Sequence, residues 1–319
     1  MDKNYNVEGK DTTASQEVDM LWKNHPLLSP PKDWTDLRER KILQQEAFKV
    51  AYQSINKKRK SKSIKGNMQQ SITDIIEGKI HVDLKASLLK DLLQQEMYDV
   101  YSIPLLTPEF CSIIRTTLRE LSKLAETNEF AHLQLGRRII DLDKIGLGWI
   151  TDLLFHMYIQ PISQHLFAQT EKLVASDSDN SSTVQLDWRQ GYVAGYSAQP
   201  SESKGATRHR LVPHTDDAEV TLNCCLGEEN YEGGSVEFYG LRGIEEEGQL
   251  VGVARRPNVG TALLHSGRHL HAVESVSKGD RYALIVWTRS WTNLRSITCP
   301  CCWLNRRQDS TCICGKRWN

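Results

Sequence analysis

A few residues in the second half of the chain are spaced for chemistry. In Pro213-His214-Thr215-Asp216 an imidazole and a carboxylate stand two residues apart, a spacing that directs both side chains to one face of an extended backbone. The pair alone is a common accident, and a metal needs a third ligand from elsewhere. The segment Leu264-His265-Ser266-Gly267-Arg268-His269-Leu270-His271 offers three histidines for that place. Two imidazoles and one carboxylate on one side of a metal leave open positions, the facial arrangement of non-haem iron(II) oxygenases. Ten positions after His271 stands Arg281, ahead of the apolar run Tyr282-Ala283-Leu284-Ile285-Val286-Trp287. A guanidinium opening a buried strand needs an anion, because an unpaired buried charge costs about 3 to 5 kcal/mol. The run itself holds no acid. A dicarboxylate cosubstrate supplies one: its keto-acid end chelates iron, and its far carboxylate accepts two parallel hydrogen bonds from the arginine fork.

The elements that must position these groups are short strands. From residue 184 the apolar period becomes two, with runs at Gln190 to Ala198, Val220 to Leu226, Ser235 to Tyr239, Leu250 to Ala254, Thr261 to Leu264, His271 to Val276 and Tyr282 to Thr288. Turns such as Glu232-Gly233-Gly234 and Lys278-Gly279-Asp280 separate them. Strands of this length and spacing build a sandwich, barrel or jelly roll. In the run after His-x-Asp, Val220, Leu222, Cys224 and Leu226 form one face, while Thr221, Asn223 and Cys225 point the other way and are placed to line a pocket. Upstream the period is helical. Thr107-Pro108-Glu109 is a helix start, with Thr as N-cap and Pro in the first turn. Phe110, Ile113, Ile114, Leu118, Leu121 and Leu124 then mark one buried face. A second helix is expected over Gly146 to Phe167, bent at Pro161, and a third from Trp34 to about Ser54.

Several segments together resemble a known class. Tyr192 to Tyr196, His214 to Asn223, Glu232-Gly233-Gly234, Gly260 to His271 and Gly279 to Trp287 are similar to the prolyl 4-hydroxylase and lysyl hydroxylase class of iron(II)- and 2-oxoglutarate-dependent dioxygenases. Within it they look like the eukaryotic PKHD-type hydroxylases, or 2-oxoglutarate and iron-dependent oxygenase domain-containing proteins. Asp99 to Pro104, Pro108 to Cys111 and Tyr158 to Ser163 share the likeness, which covers roughly residues 90 to 292. The resemblance implies an α+β fold with a double-stranded β-helix (jelly-roll) core, flanking N-terminal helices and a short Cys-rich C-terminal tail. It implies iron held by His214, Asp216 and His271, which resolves the choice among the three histidines. It also implies Arg281 on the C5 carboxylate of 2-oxoglutarate, with Asn223, Tyr196 and Thr221 nearby. His265 and His269 are read as structural or as outer partners of the ligands. The implied reaction consumes O2, hydroxylates an unactivated C–H bond, releases succinate and CO2, and uses L-ascorbate to keep iron reduced. The carboxylate of Asp216 argues against halogenation, which needs that position for halide.

The substrate is not legible in this way. A protein or peptide side chain, Pro or Lys, is the first expectation. Nucleic-acid demethylation by the same chemistry is the alternative, supported only by the basic run Lys57, Lys58, Arg59, Lys60, Lys62 and Lys65. A non-catalytic scaffold would carry a broken triad or lack Arg281, and neither is so.

The expected organisation is a polar, largely helical N-terminal extension (1–95), a helical support (96–183), the dioxygenase core (184–292) and a Cys-rich tail (293–319). With 40 basic and 40 acidic side chains in 319 residues, no global charge draws the chain to nucleic acid or membrane. Neither a leader-like apolar run at Met1 to Tyr5 nor a spanning stretch is visible, so the expected localisation is cytoplasmic or nuclear. In the tail Cys299, Cys302, Cys312 and Cys314 have near-knuckle spacing for a structural zinc, with Cys301 spare.

Overall fold

The structure is a computed structural model that describes residues 27–61, 70–80, 82–125, 140–167, 186–201, 206–227, 230–241, 248–254 and 258–292. The chain opens with helix α1 (Trp34–Glu39), capped by the Asp33 carboxylate, which accepts from the N–H groups of Thr35 and Asp36. Lys41 then turns into the left-handed region at φ 48, and the Gln44 N–H bonds to Leu105 O at 3.0 Å. Helix α2 (Gln45–Ser61) starts only after that. The single helix expected from Trp34 to about Ser54 is therefore two, because the backbone between them is pinned to a different part of the fold. Next come α3 (Gln70–Ile76), α4 (Ala86–Leu89) and a hairpin of β1 (Gln94–Met97) and β2 (Val100–Pro104). Helix α5 (Pro108–Ala125) has the expected start, with Thr107 Oγ1 accepting from the Phe110 N–H at 3.2 Å.

After β3 (Ile140–Asp141) run α6 (Gly148–Leu154), a π-helical turn (Phe155–Ile159) and α7 (Gln160–Leu166). The helical backbone therefore runs without a break from Gly148 to Leu166, as expected, with a π-helical turn just ahead of Pro161. Its ring would crowd the carbonyl four residues back in a continuous α-helix. The wider turn ahead of it relieves this, with Gln160 N–H reaching back five residues to Phe155 O.

The remaining strands are β4 (Trp188–Ser197), β5 (Ala206–Arg208), β6 (Leu211–His214), β7 (Val220–Cys225), β8 (Glu232–Gly233), β9 (Val236–Leu241), β10 (Gly252–Ala254), β11 (Thr261–Ser266), β12 (His269–Val273), β13 (Val276–Lys278) and β14 (Asp280–Arg289). Within the described residues they form an eight-stranded sheet in the order β1-β2-β11-β7-β14-β4-β3, with β5 parallel on β4. A four-stranded sheet, β10-β9-β12-β6, and the pair β13-β8 complete the set. All pairings other than β4–β5 are antiparallel.

Period-two patterning gives the large sheet two faces. Val193, Leu222, Cys224, Leu264, Leu284 and Val286 join the helices in one core. Leu28, Trp34, Leu37, Val50, Ile72 and Leu92 belong to that same core, each large aliphatic contributing about 1.5 to 3 kcal/mol. The other face looks toward the small sheet: Tyr192, Ala194, Tyr196, Ala283 and Ile285 meet Val273 and Val276, and Val100 and Leu263 meet Val236 and Phe238. The boundary expected at residue 95 thus falls inside the β1–β2 hairpin, and the support region contributes strands as well as helices. The sequence hides β1 because Gln94-Gln95-Glu96 is an exposed edge with no apolar alternation.

Candidate metal centre

The site lies between the two sheets. His214 ends β6 and is the direct register partner of His271 on β12, which sets the two imidazole rings 4.3 Å apart between centroids. Asp216 lies past the end of β6, so extended-strand geometry does not place it. Its N–H instead donates to Gly267 O at 2.9 Å in the turn between β11 and β12. The carboxylate meets both rings: Oδ1 is 3.4 Å from His214 Nε2, and Oδ2 is 3.7 Å from His271 Nε2. One ligand atom from each residue lies within 4.8 Å of the others.

Both imidazoles are oriented by backbone. His214 Nδ1 lies 2.9 Å from Val212 O, and His271 Nδ1 lies 2.9 Å from His269 O. Donation from Nδ1 leaves the Nε2 lone pairs facing the carboxylate, as a metal requires. Thr221 Oγ1 donates to Asp216 Oδ2 at 2.7 Å. Thr221, expected near the cosubstrate, thus bonds directly to the acid of the triad.

The electrostatics follow from burial and proximity. Burial would raise the Asp216 carboxyl, but the charge of His271 and the hydrogen bond from His214 hold it well below the usual range. Burial would lower His214, yet its bond to Asp216 raises it above the ordinary imidazole value. For His271 burial wins over Asp216 and the shift is downward. His265 and His269 are pushed by burial to about 3 and about 4. His265 Nδ1 faces Ser266 O at 2.9 Å, and its ring stands edge-on to His271 at 4.8 Å; His269 Nε2 faces Tyr98 O at 3.2 Å. Both histidine side chains are therefore neutral packing groups, and backbone carbonyls take the outer-partner place.

The triad opens on a cleft walled by Thr221 and Asn223 from β7, Tyr192 and Tyr196 from β4, and Arg208 from β5. Tyr196 and Arg281 are register partners on β4 and β14. Arg281 is 0% exposed, and its Nε, Nη1 and Nη2 have no hydrogen-bond partner among the described residues. Its Cζ lies 5.3 Å from the Tyr196 ring centroid. Gly234, at φ 71, makes room for it, since an added Cβ there would come within 2.8 Å of Arg281 Cδ. Strand β14 does begin with an acid, Asp280, but that carboxylate accepts from Ser197 Oγ and pairs with Arg119 at 3.8 Å.

The donor set and the orphaned guanidinium fit an iron(II) ion and a dicarboxylate. Arg208 and Tyr192 received no role from sequence. Tyr192 shares the alternation of Tyr196 and could have been found by it. Arg208 could not, because only the parallel pairing of β5 on β4 brings it to the cleft. Cys299, Cys302, Cys312 and Cys314, and the basic side chains of residues 57 to 65, lie outside the described residues. No helix among the described residues is long and apolar enough to cross a membrane.

No model of a known protein family matches the chain. Individual relatives do. The chain is 26% identical over 202 residues to the 2-oxoglutarate and iron-dependent oxygenase domain-containing protein ICU11 of Arabidopsis thaliana, covering 60% of this chain and 46% of that protein. It is 28% identical over 210 residues to the 2-oxoglutarate and iron-dependent oxygenase domain-containing protein 2 of Xenopus tropicalis, covering 64% and 52%. This chain is similar to 2-oxoglutarate and iron-dependent oxygenase domain-containing proteins. A multifunctional procollagen lysine hydroxylase and glycosyltransferase, LH3 of Rattus norvegicus, matches at 26% identity over 61% of this chain and 24% of its own length. The chain thus spans about half the length of the first two relatives. The resemblance read from the motifs is matched by these relatives over about 200 residues of the chain.

Proposed function

We propose that the protein is an iron(II)- and 2-oxoglutarate-dependent dioxygenase that hydroxylates an unactivated C–H bond of a protein side chain. One observation carries the reading: Arg281, fully buried and with no hydrogen-bond partner for its guanidinium among the described residues, lies against Tyr196, a wall of the cleft on which the His-Asp-His cluster opens. Buried guanidinium groups are costly unless paired, and the anion this one suits is the far carboxylate of the cosubstrate. In this reading His214, Asp216 and His271 hold iron, Arg281 binds the C5 carboxylate, and Asn223 and Tyr196 line the cosubstrate's path. The facing sheets are consistent with a double-stranded β-helix. With O2, iron and 2-oxoglutarate supply oxidative decarboxylation to succinate and CO2, coupled to hydroxylation of the substrate.

The chain's own part is positional. The carbonyls of Val212 and His269 fix the tautomers of the ligating imidazoles, and Thr221 holds one carboxylate oxygen of Asp216 in place. Tyr192, Tyr196 and Ile285 keep the cleft water-poor, which strengthens each polar contact within it. Ascorbate is the expected reductant. A prolyl or lysyl side chain is the favoured substrate, by likeness to the lysine hydroxylase relative. A zinc ion on Cys299, Cys302, Cys312 and Cys314 is proposed for the tail, checked by elemental analysis of protein with Ser at Cys299 and Cys302.

The deciding experiment is anaerobic purification, metal analysis, and measurement of succinate formed from 2-oxoglutarate without added substrate. Stoichiometric iron with succinate release supports the reading. Absence of both, in folded protein, refutes it.

A further inference from the structure

The buried anchor and the mouth of the cleft are different places. Arg281 is 0% exposed and lies behind the cleft walls, whereas Arg208 forms part of them and is partly exposed. One ring stands between the two. The Cζ of Arg281 is 5.3 Å, and that of Arg208 5.2 Å, from the Tyr196 ring centroid. Register explains the alignment: Arg208 on β5 pairs with Tyr196 on β4, and Tyr196 pairs with Arg281 on β14. Partners level with each other on adjacent strands point to the same face, about 5 Å apart, so guanidinium, phenol and guanidinium form a row across three strands. Of the residues lining the cleft, Asp216 is the one acid. The charge of Arg208 acts on Tyr192, Tyr196 and His214, all of them cleft residues.

We infer that Arg208 is the entry residue for the cosubstrate, meeting the dicarboxylate at the mouth before its far carboxylate passes Tyr196 to Arg281. The inference rests on the 2-oxoglutarate reading given above. A cation at the mouth raises the local concentration of an approaching dianion and acts mainly on the association rate. The residue that finally holds the carboxylate governs dissociation. The division of labour is therefore kinetic: Arg208 sets how fast 2-oxoglutarate enters, and Arg281 sets how long it stays. A merely structural Arg208, bracing the Tyr196 ring, would change dissociation and would not change the salt dependence of entry.

The test is stopped-flow tryptophan fluorescence of the iron(II)-loaded full chain under nitrogen, mixed with 2-oxoglutarate from low salt to 1 M. Arg208→Gln is expected to slow association about five- to tenfold at low salt. It should converge on wild type at 1 M, where screening acts within about 3 Å, with dissociation changed less than about twofold. Arg208→Lys should keep most of the association rate, and Arg208→Met is the second neutral variant should Arg208→Gln fail to fold. Arg281→Gln should instead speed dissociation and leave the salt dependence of entry intact. Wild-type association in Arg208→Gln at low salt, or an effect on dissociation alone, overturns the inference while leaving the cosubstrate reading standing. If wild type shows no saturable 2-oxoglutarate binding, that reading falls and takes the inference with it.

Discussion

Arg281→Met separates a residue kept for binding from one kept for folding. In the wild type a guanidinium that is 0% exposed has no hydrogen-bond partner for any of its three nitrogens among the described residues. Replacing buried ionic groups by an apolar chain of similar volume is commonly neutral or stabilising by about 1 to 4 kcal/mol. The cosubstrate-free variant should therefore melt above wild type, by roughly 2 to 4 °C per kcal/mol for a domain near this size. With 2-oxoglutarate the order reverses in response. At about a hundred times its Kd a ligand adds about 2.7 kcal/mol to the folded state, and wild type should gain this. Two charge-assisted hydrogen bonds at about 1.5 to 3 kcal/mol each put the variant's loss of affinity at about a hundred- to ten-thousand-fold, so it should gain nothing at the same concentration. Iron binding should stay near normal, because Arg281 is not one of the three residues that offer ligand atoms. Calorimetric melting with and without iron and 2-oxoglutarate, anaerobically, reads all of this. A variant less stable than wild type without cosubstrate, yet stabilised by 2-oxoglutarate to the same degree, would refute the reasoning and make Arg281 a structural residue.

Further outcomes follow from the same geometry. Thr221→Val removes the 2.7 Å bond to Asp216 and should weaken metal binding about 10- to 100-fold, as loss of such outer contacts does; unchanged affinity by anaerobic titration would make the hydroxyl incidental. Metal affinity should fall as pH drops, since a protonated imidazole cannot ligate. Because His214 sits above its ordinary value of 6.5, the fall should begin at a higher pH than for an unperturbed histidine, and a flat titration between pH 8 and 6 counts against it. Gly191→Ala would set a Cβ 1.9 Å from Thr151 Oγ1, an overpacking that should cost about 1 to 3 kcal/mol in thermal unfolding. Adding Thr151→Ala should recover part of the loss.

Much of the site was legible in the chain because ligand chemistry is local. His214, Asp216 and the triplet of later histidines are recognisable by residue type, Arg281 by its charge at the head of an apolar run, and period-two alternation put Thr221 and Asn223 on a common inner face, where they line the cleft. Helix α5 was legible for the same reason, since its cap and stripe are contiguous in sequence. The misses have two causes. Strand β1 pairs with the adjacent β2 and was hidden because its exposed edge has no apolar alternation. The break between α1 and α2, the tether of Asp216 to Gly267 and the arrival of Arg208 beside Tyr196 depend on bonds to other segments of the chain. Periodicity carries no information about such partners. The sequence by itself determined which groups could bind a metal and an anion, and which face of the strand after His-x-Asp would carry Thr221 and Asn223. Only the tertiary structure decided which backbone carbonyls orient the imidazoles and which acids are spent elsewhere, as Asp280 is on Ser197 and Arg119. Hydrogen bonds act over about 3 Å, and only the folded chain sets which groups come that close.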